Sequence, residues 1–339
     1  RYDVGDNINS AWDKEKQPDQ WQRLVELIEE RNPNNIGINI SEDFAIADGL
    51  VHTDYEALKE ALPKQLEDKL ISAEKLAIAW IETRTEKEME LYNALVSVTH
   101  DIIDEAFSEK VIKPGITTTD DVVWFMRQKV TDMGLETWFH PTVDVQRSEE
   151  ALKSHIESFS KAKEKTIILP GDLLHCDFGI SYITLNTDCQ QHAYMLKEVE
   201  NEVPQYLQEA FEKGNRLQDI LTSNFKEGKT GNEILLTSLQ QAKSEGLQPS
   251  IYTHPLGTYG HSAGPTIGMW DSQGGVPGTG DYPLYENTVY AIELNTTVTI
   301  PEWKKDIRIM LEEAGFYGTN GFRYVNGRQK AIKPIKVEK

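Results

Sequence analysis

Four carboxylates and a histidine stand in surroundings where an ordinary solvated role fits them poorly. Asp177 lies in Gly171-Asp172-Leu173-Leu174-His175-Cys176-Asp177-Phe178-Gly179, and Asp188 closes the run Leu185-Asn186-Thr187-Asp188. Apolar and β-branched residues with glycine at the turn predict two strands of a hairpin. A register that sets Asp177 opposite Asp188 puts both carboxylates on one face. Two bare carboxylates side by side repel, so the pair calls for a shared proton or a metal. The plainer reading of either aspartate alone is a turn cap. The same register sets Cys176 opposite Cys189 on the reverse face, as packed thiols or a strained cross-strand disulfide. Neither sulfur then faces the carboxylates, so a catalytic thiol is not expected.

Glu293 is the one charged residue of the apolar run Thr288-Val289-Tyr290-Ala291-Ile292-Glu293-Leu294-Asn295, which reads as a buried strand. Burying an unpaired carboxylate is costly, so a partner is implied. In Ile307-Arg308-Ile309-Met310-Leu311-Glu312-Glu313, strand alternation puts Arg308, Met310 and Glu312 on one face. A solvated strand end is the plainer reading of the two glutamates. His254-Pro255-Leu256-Gly257-Thr258-Tyr259-Gly260-His261-Ser262-Ala263-Gly264-Pro265 sets two histidines in a glycine-rich turn, and the flanking glycines single out His261, because they let a ligand approach. Four carboxylates and one neutral imidazole suit two divalent cations with a water between them. Asp188 and Glu312 would span both ions, Asp177 would hold one, and His261 with Glu293 the other. Oxygen-rich ligation with a single nitrogen favours manganese, with cobalt or zinc as alternatives.

The elements that must position these residues are legible in outline. Residues 1–75 mix an amphipathic helix around Trp21, Leu24, Val25 and Ile28 with a short strand-like run, Asn35 to Ile40, and read as part of a small α/β domain. Residues 76–339 begin with a long charged helix, roughly Thr83 to Phe107, and contain an internal near-repeat. Lys113-Pro114-Gly115-Ile116-Thr117-Thr118-Thr119-Asp120 is echoed at an offset of 113 residues by Lys226-Glu227-Gly228-Lys229-Thr230-Gly231-Asn232-Glu233. In each copy a threonine precedes an acid by three places, a helix-opening capping box. Each helix ends at a glycine, Gly134 or Gly246. Helix, helix, strands, twice over, predicts an α+β fold in which helices cover a shared antiparallel sheet. A cleft then lies between the halves, where both can contribute side chains.

The net charge of −20 excludes nucleic acid or an anionic membrane as the principal partner, because the basic stripe that phosphate contact needs is missing. No run of ~18 uncharged apolar residues predicts a membrane span. Two cysteines exclude a disulfide scaffold and a cysteine-rich zinc site. No signal-peptide core is present, and a cytoplasmic location is expected. Because the chain opens at Arg1 rather than at methionine, a secreted or periplasmic one stays open.

Taken in order, these residues resemble the pita-bread metallopeptidases, the family of methionine aminopeptidase, Xaa-Pro aminopeptidase, prolidase and creatinase. The family's Asp-x-Gly hairpin with a second aspartate eleven residues on is matched by Asp177-Phe178-Gly179 and Asp188. Its Gly-His-Gly-x-Gly loop is matched by Gly260 to Gly264 with one glycine replaced. Its Val-x-x-Ile-Glu strand is matched by Val289 to Glu293, and its final Arg-Ile-Glu-acid strand by Arg308 to Glu313 with two extra residues. The resemblance covers about Lys75 to Lys339 and implies a duplicated pita-bread catalytic domain with the five ligands Asp177, Asp188, His261, Glu293 and Glu312. It also implies that residues 1–75 are a partial creatinase-like domain. In prolidase-like members a further histidine follows the ligand loop by about seven residues and helps bind substrate. Thr266-Ile267-Gly268-Met269 stands there, leaving His140, in Trp138-Phe139-His140-Pro141, and His254 as candidates to replace it. The function implied is an Xaa-Pro aminopeptidase or dipeptidase acting on short peptides. Glu293 would move the proton of the attacking water, and His140 or His254 would stabilise the oxyanion. A homodimer is implied by the family alone. The alternatives are a pita-bread enzyme for a non-peptide small molecule and a metal-free binding domain; the second predicts degraded ligands, whereas all five positions are filled.

Overall fold

The computed structural model describes residues 10–148 and 165–336; Arg1, at which the sequence opens, lies outside them. The chain divides into two compact units, Arg1–Trp80 and Ile81–Lys339. In the first, α1 (Gln20–Arg31) opens at Asp19, whose carboxylate accepts hydrogen bonds from the Trp21 and Gln22 amides. The expected strand is β1 (Ile36–Ile38). It is followed by α2 (His52–Ala61), α3 (Lys64–Glu67) and β2 (Leu70–Ser72), which pairs in parallel with β1. Val25, Ile38, Leu58, Leu62 and Leu66 form the small core of this unit. Helix α4 (Glu74–Glu82) carries the chain across the division at Trp80 and Ile81.

The second unit shows the duplicated order. Helices α5 (Glu86–Ala106) and α6 (Thr119–Asp132) precede β3 (Thr142–Gln146), β4 (Leu173–Phe178), the short pair β5 (Ser181–Tyr182) and β6 (Leu185–Asn186), and β7 (Cys189–Met195). Helices α7 (Gln205–Ser223) and α8 (Gly231–Ser244) precede β8 (Gln248–Ile251), β9 (His254–Leu256), β10 (Thr288–Ala291), β11 (Leu294–Ile300), β12 (Lys305–Leu311), β13 (Ala314–Gly318) and β14 (Gly321–Tyr324). A last strand, β15 (Lys333–Ile335), joins β7 in parallel. One core lies under α5 and α6 against β4 and β7, and a second under α7 and α8 against β8, β11 and β12. The expected helix pairs over mostly antiparallel strands are present, the strands forming sheets ordered β15-β7-β4-β3, β12-β11-β8 and β14-β13-β10-β9.

The repeat is real but its register moves by one residue in the first copy. Thr118, not Thr117, caps α6 in a reciprocal box with Asp121, while Thr230 caps α8 with Glu233 as expected. Thr117 instead turns its hydroxyl inward, bonding the Lys113 amide and the Val111 carbonyl. Both helices are closed by a left-handed glycine, Gly134 and Gly246.

The hairpin register also differs from expectation. Asp177 pairs with Gln190 and Cys176 with Gln191, a slip of two residues caused by the extra pair β5 and β6 in the connection. A two-residue slip keeps every side chain on its face and turns opposite neighbours into diagonal ones. Asp177 and Asp188 therefore still share a face. Cys176 and Cys189 are diagonal on the other face, both buried free thiols. Gly179 makes the hairpin feasible: a Cβ there would sit 2.1 Å from the Thr187 carbonyl oxygen, beside Asp188.

The most consequential feature is a shared kink. Three strands cross from one sheet, ordered β12-β11-β8, to another, ordered β14-β13-β10-β9. Each breaks at a two-residue step: Tyr252-Thr253 between β8 and β9, Ile292-Glu293 between β10 and β11, and Glu312-Glu313 between β12 and β13. The steps are in register, since Leu294 pairs with both Ile251 and Leu311 while Ala291 pairs with both His254 and Ala314. The amide of Tyr252 donates to the Glu293 carbonyl and that of Ile292 to the Glu313 carbonyl, so the backbone stays bonded across the bend.

Candidate metal centre

The kink and the hairpin together gather the polar residues. Glu293 and Glu312 come from kink steps, His254 from the first residue after one, Asp177 from the end of β4 and Asp188 from the residue before β7. Gln190 and Glu312 form a two-way backbone bridge at 2.9 and 3.2 Å that joins the two halves. Glu293 is therefore not within a continuous strand, as its apolar flanks suggest, but at a break that leaves it half-buried.

At the centre, one ligand atom each from Asp188, His254 and Glu312 lies within 4.8 Å of the others, all three residues being buried. The Nδ1–H of His254 donates to the Pro255 carbonyl at 3.0 Å, which fixes the tautomer and leaves Nε2 with a bare lone pair. That nitrogen is 3.7 Å from Asp188 Oδ2 and 3.5 Å from Glu312 Oε1. His254 Nε2, Asp188 Oδ1 and Glu312 Oε1 are buried without a hydrogen-bond partner. Burial, followed by the charge of His261, lowers the His254 pKa to about 3, so the ring is neutral near pH 7.

The carboxylates show the complementary effect. Burial, then the charges of Asp177 and Glu293, push Asp188 well above the ordinary carboxylate range. Burial, then Asp188, Glu293 and Asp177, push Glu312 up. Burial and Asp177 raise Glu293 to about 8. Carboxyl groups crowded in this way are stabilised by shared protons or by cations placed where their lone pairs converge. The donor set of four carboxylates and one neutral imidazole thus fits divalent ions.

The histidine expectations are corrected here. His261 is exposed and its ring stands edge-on to that of His254, 4.5 Å between centroids; it is His254 that meets the carboxylates. Glycine context favours His261, whereas the histidine that faces the carboxylates is set by a long-range contact, the pairing of His254 with Ala291. His261 follows His254 by seven residues. His140 is exposed, bonded through Nδ1 to Arg127 at 2.9 Å and edge-on to Trp124; these contacts tie it to α6 and not to the carboxylates. Glu312 is separated from Glu313 as parity required, the latter bonding His100, Gln191 and the Gln329 amide. Arg308 is buried, its backbone amide and carbonyl bonded to the Gln146 side chain.

Three residues escaped the sequence reading. Gln190 Nε2 donates to Glu293 Oε1 at 2.7 Å and to Glu312 Oε2 at 2.9 Å, while its Oε1 accepts from His175 at 2.9 Å. Its signal was alternation, two places after Asp188 on the same face. Trp138 donates to the Thr187 carbonyl and lies edge-on to His261, centroids 5.4 Å apart. Tyr252 lies against both His254 and His261.

Residues 90–315 match the model of metallopeptidase family M24, which is more than half of the chain. The chain belongs to that family and is a peptidase of the pita-bread fold. Among solved structures it is similar to an X-Pro aminopeptidase from Thermotoga maritima, at 16% identity and a TM-score of 0.64 over 93% of this chain and 80% of that one. An Xaa-Pro dipeptidase from Bacillus anthracis matches at 18% identity and 0.55 over 93% and 78%. A methionine aminopeptidase from Rickettsia prowazekii matches at 14% and 0.54, over 73% of this chain and 100% of that one. No curated protein gives a significant sequence match.

Proposed function

We propose that this peptidase is a dinuclear-metal exopeptidase of the Xaa-Pro aminopeptidase or dipeptidase type, acting on short peptides, with Asp177, Asp188, His254, Glu293 and Glu312 as ligands and manganese as the ion, cobalt or zinc serving as substitutes. The observation that carries the reading is the trio of buried, mutually facing donors on Asp188, His254 and Glu312, flanked by Asp177 and Glu293. The Xaa-Pro assignment is supported by likeness to an X-Pro aminopeptidase over 93% of the chain, which takes in the N-terminal unit. That unit, on this reading, is the partial creatinase-like domain.

Bound divalent ions supply a water of lowered pKa and polarise the scissile carbonyl. Glu293 takes the proton of the attacking water and passes it to the leaving nitrogen. His261, exposed beside His254 and braced by Trp138 and Tyr252, donates a hydrogen bond to the carbonyl oxygen as negative charge grows on it.

The test is hydrolysis of a panel of Xaa-Pro dipeptides and Xaa-Pro tripeptides with added manganese, alongside calorimetric metal binding. Wild type is expected to cleave members of the panel. His254→Ala should lose metal and activity together. His261→Ala should keep the metal and lose about 10²–10³ in kcat. A manganese-loaded wild type that cleaves none of the panel would overturn the substrate assignment in favour of a non-peptide small molecule.

A further inference from the structure

The two dipeptides that send ligands into the metal centre send their other residue to the opposite face of the sheet. Asp188 is followed by Cys189, and Glu312 by Glu313. Because Gln190 bridges Glu312 in antiparallel sense, Cys189 and Glu313 lie opposite each other, and side-chain alternation turns both away from the carboxylates. Helix α5 lays His100 over this reverse face. Ligand atoms of His100, Cys189 and Glu313 lie within 4.8 Å of one another, with Cys189 and Glu313 buried and the His100 side chain 19% exposed.

The chemistry of the three is that of a borderline metal ion. They offer one imidazole nitrogen, one sulfur and one carboxylate oxygen, a set that zinc takes and that calcium or magnesium does not. A thiolate and a carboxylate balance a divalent charge within a buried site. The supporting contacts are in place: Glu313 Oε1 accepts from Gln191 Nε2 at 2.9 Å and from the Gln329 amide at 3.1 Å, which orients the carboxylate and turns Oε2 toward His100, 2.6 Å away. The partly exposed imidazole would give an ion a route in, leaving a fourth position for a water.

We infer that His100, Cys189 and Glu313 form a second, separate metal site of the zinc class, back to back with the peptidase centre, which ties α5 to the two chain segments carrying Asp188 and Glu312. The inference is independent of what the enzyme cleaves.

Cobalt reports the site directly, because none of the five donors of the peptidase centre is sulfur. Full-length protein stripped of metal and loaded with cobalt(II) is expected to show thiolate-to-cobalt charge-transfer absorption in the near ultraviolet. The band should persist in His254→Ala and vanish in Cys189→Ala. His100→Gln, at a partly exposed helix position where folding is readily checked by circular dichroism, should abolish it too and lower the zinc content by one equivalent. Absence of the band in cobalt-loaded wild type, or its survival in Cys189→Ala, overturns the site and leaves a hydrogen-bonded cluster only.

Discussion

Gln190 directs both protons of its amide to carboxylates of the candidate centre, one to Glu293 and one to Glu312, and is itself held by His175. Groups that orient ligands in this way contribute to metal affinity without touching the ion. Gln190→Ala is expected to weaken divalent-metal binding by about 10–100-fold in calorimetry. Unchanged affinity would mean that the glutamates hold their orientation without it. A different residue-scale effect comes from Glu82, which is 3% exposed with neither carboxylate oxygen hydrogen-bonded. It lies under the histidine loop, so close to Gly264 that a Cβ there would be 2.6 Å from Oε2. Burial raises its pKa from 4.5 to about 8. The folded protein therefore keeps the proton while the unfolded chain releases it, and stability falls as pH rises from about 4.5 to 8, then levels. Glu82→Gln removes this loss. Its unfolding free energy relative to wild type, followed by denaturant titration, should rise with pH across that window, by an amount on the order of a few kcal/mol at pH 8. An offset between the two proteins that does not vary with pH would show that Glu82 does not titrate there.

At the scale of elements, the capping boxes and the kinks explain what could be read in advance. Capping is local chemistry, so the helix starts at Thr118 and Thr230 were visible to within one residue. Thr118→Ala and Thr230→Ala should each cost about 1 kcal/mol, a fall of about 2–4 °C in thermal midpoint for a domain of this size. No change in either midpoint would mean that neighbouring contacts, not the caps, fix these helices. The aspartate pair was legible because it depends on side-chain parity, which the two-residue slip at β5 and β6 leaves intact. Glu312 was separable from Glu313 for the same reason. The histidine was not, since the choice between His254 and His261 depends on β9 meeting β10 across a long connection. Nor did the apolar run around Glu293 reveal its break, because a strand that changes sheets and one that continues have the same apolar flanks.

For the whole catalytic unit, the candidate metal centre gathers side chains from two halves that also meet through backbone bridges and core packing. Asp177 and Asp188 come from the first half, and His254, Glu293 and Glu312 from the second. With cations absent, the charge of Asp177 bears on Asp188, Glu293 and Glu312 and opposes their ionisation. With cations bound, on the proposed function, the same charge would be a ligand that holds the halves together. Binding to the folded state alone stabilises by about 4 kcal/mol when free metal is a thousandfold above its dissociation constant. Manganese should therefore raise the thermal midpoint and a chelator should lower it. Asp177→Asn, nearly the same shape without the charge, should then change sign with loading: a higher midpoint than wild type in chelator, where repulsion is relieved, and a lower one in manganese, where a ligand is lost. Differential scanning calorimetry of the two proteins in both conditions decides it. A substitution that lowers the midpoint equally with and without metal would place Asp177 outside the centre, with a purely structural role at the end of β4.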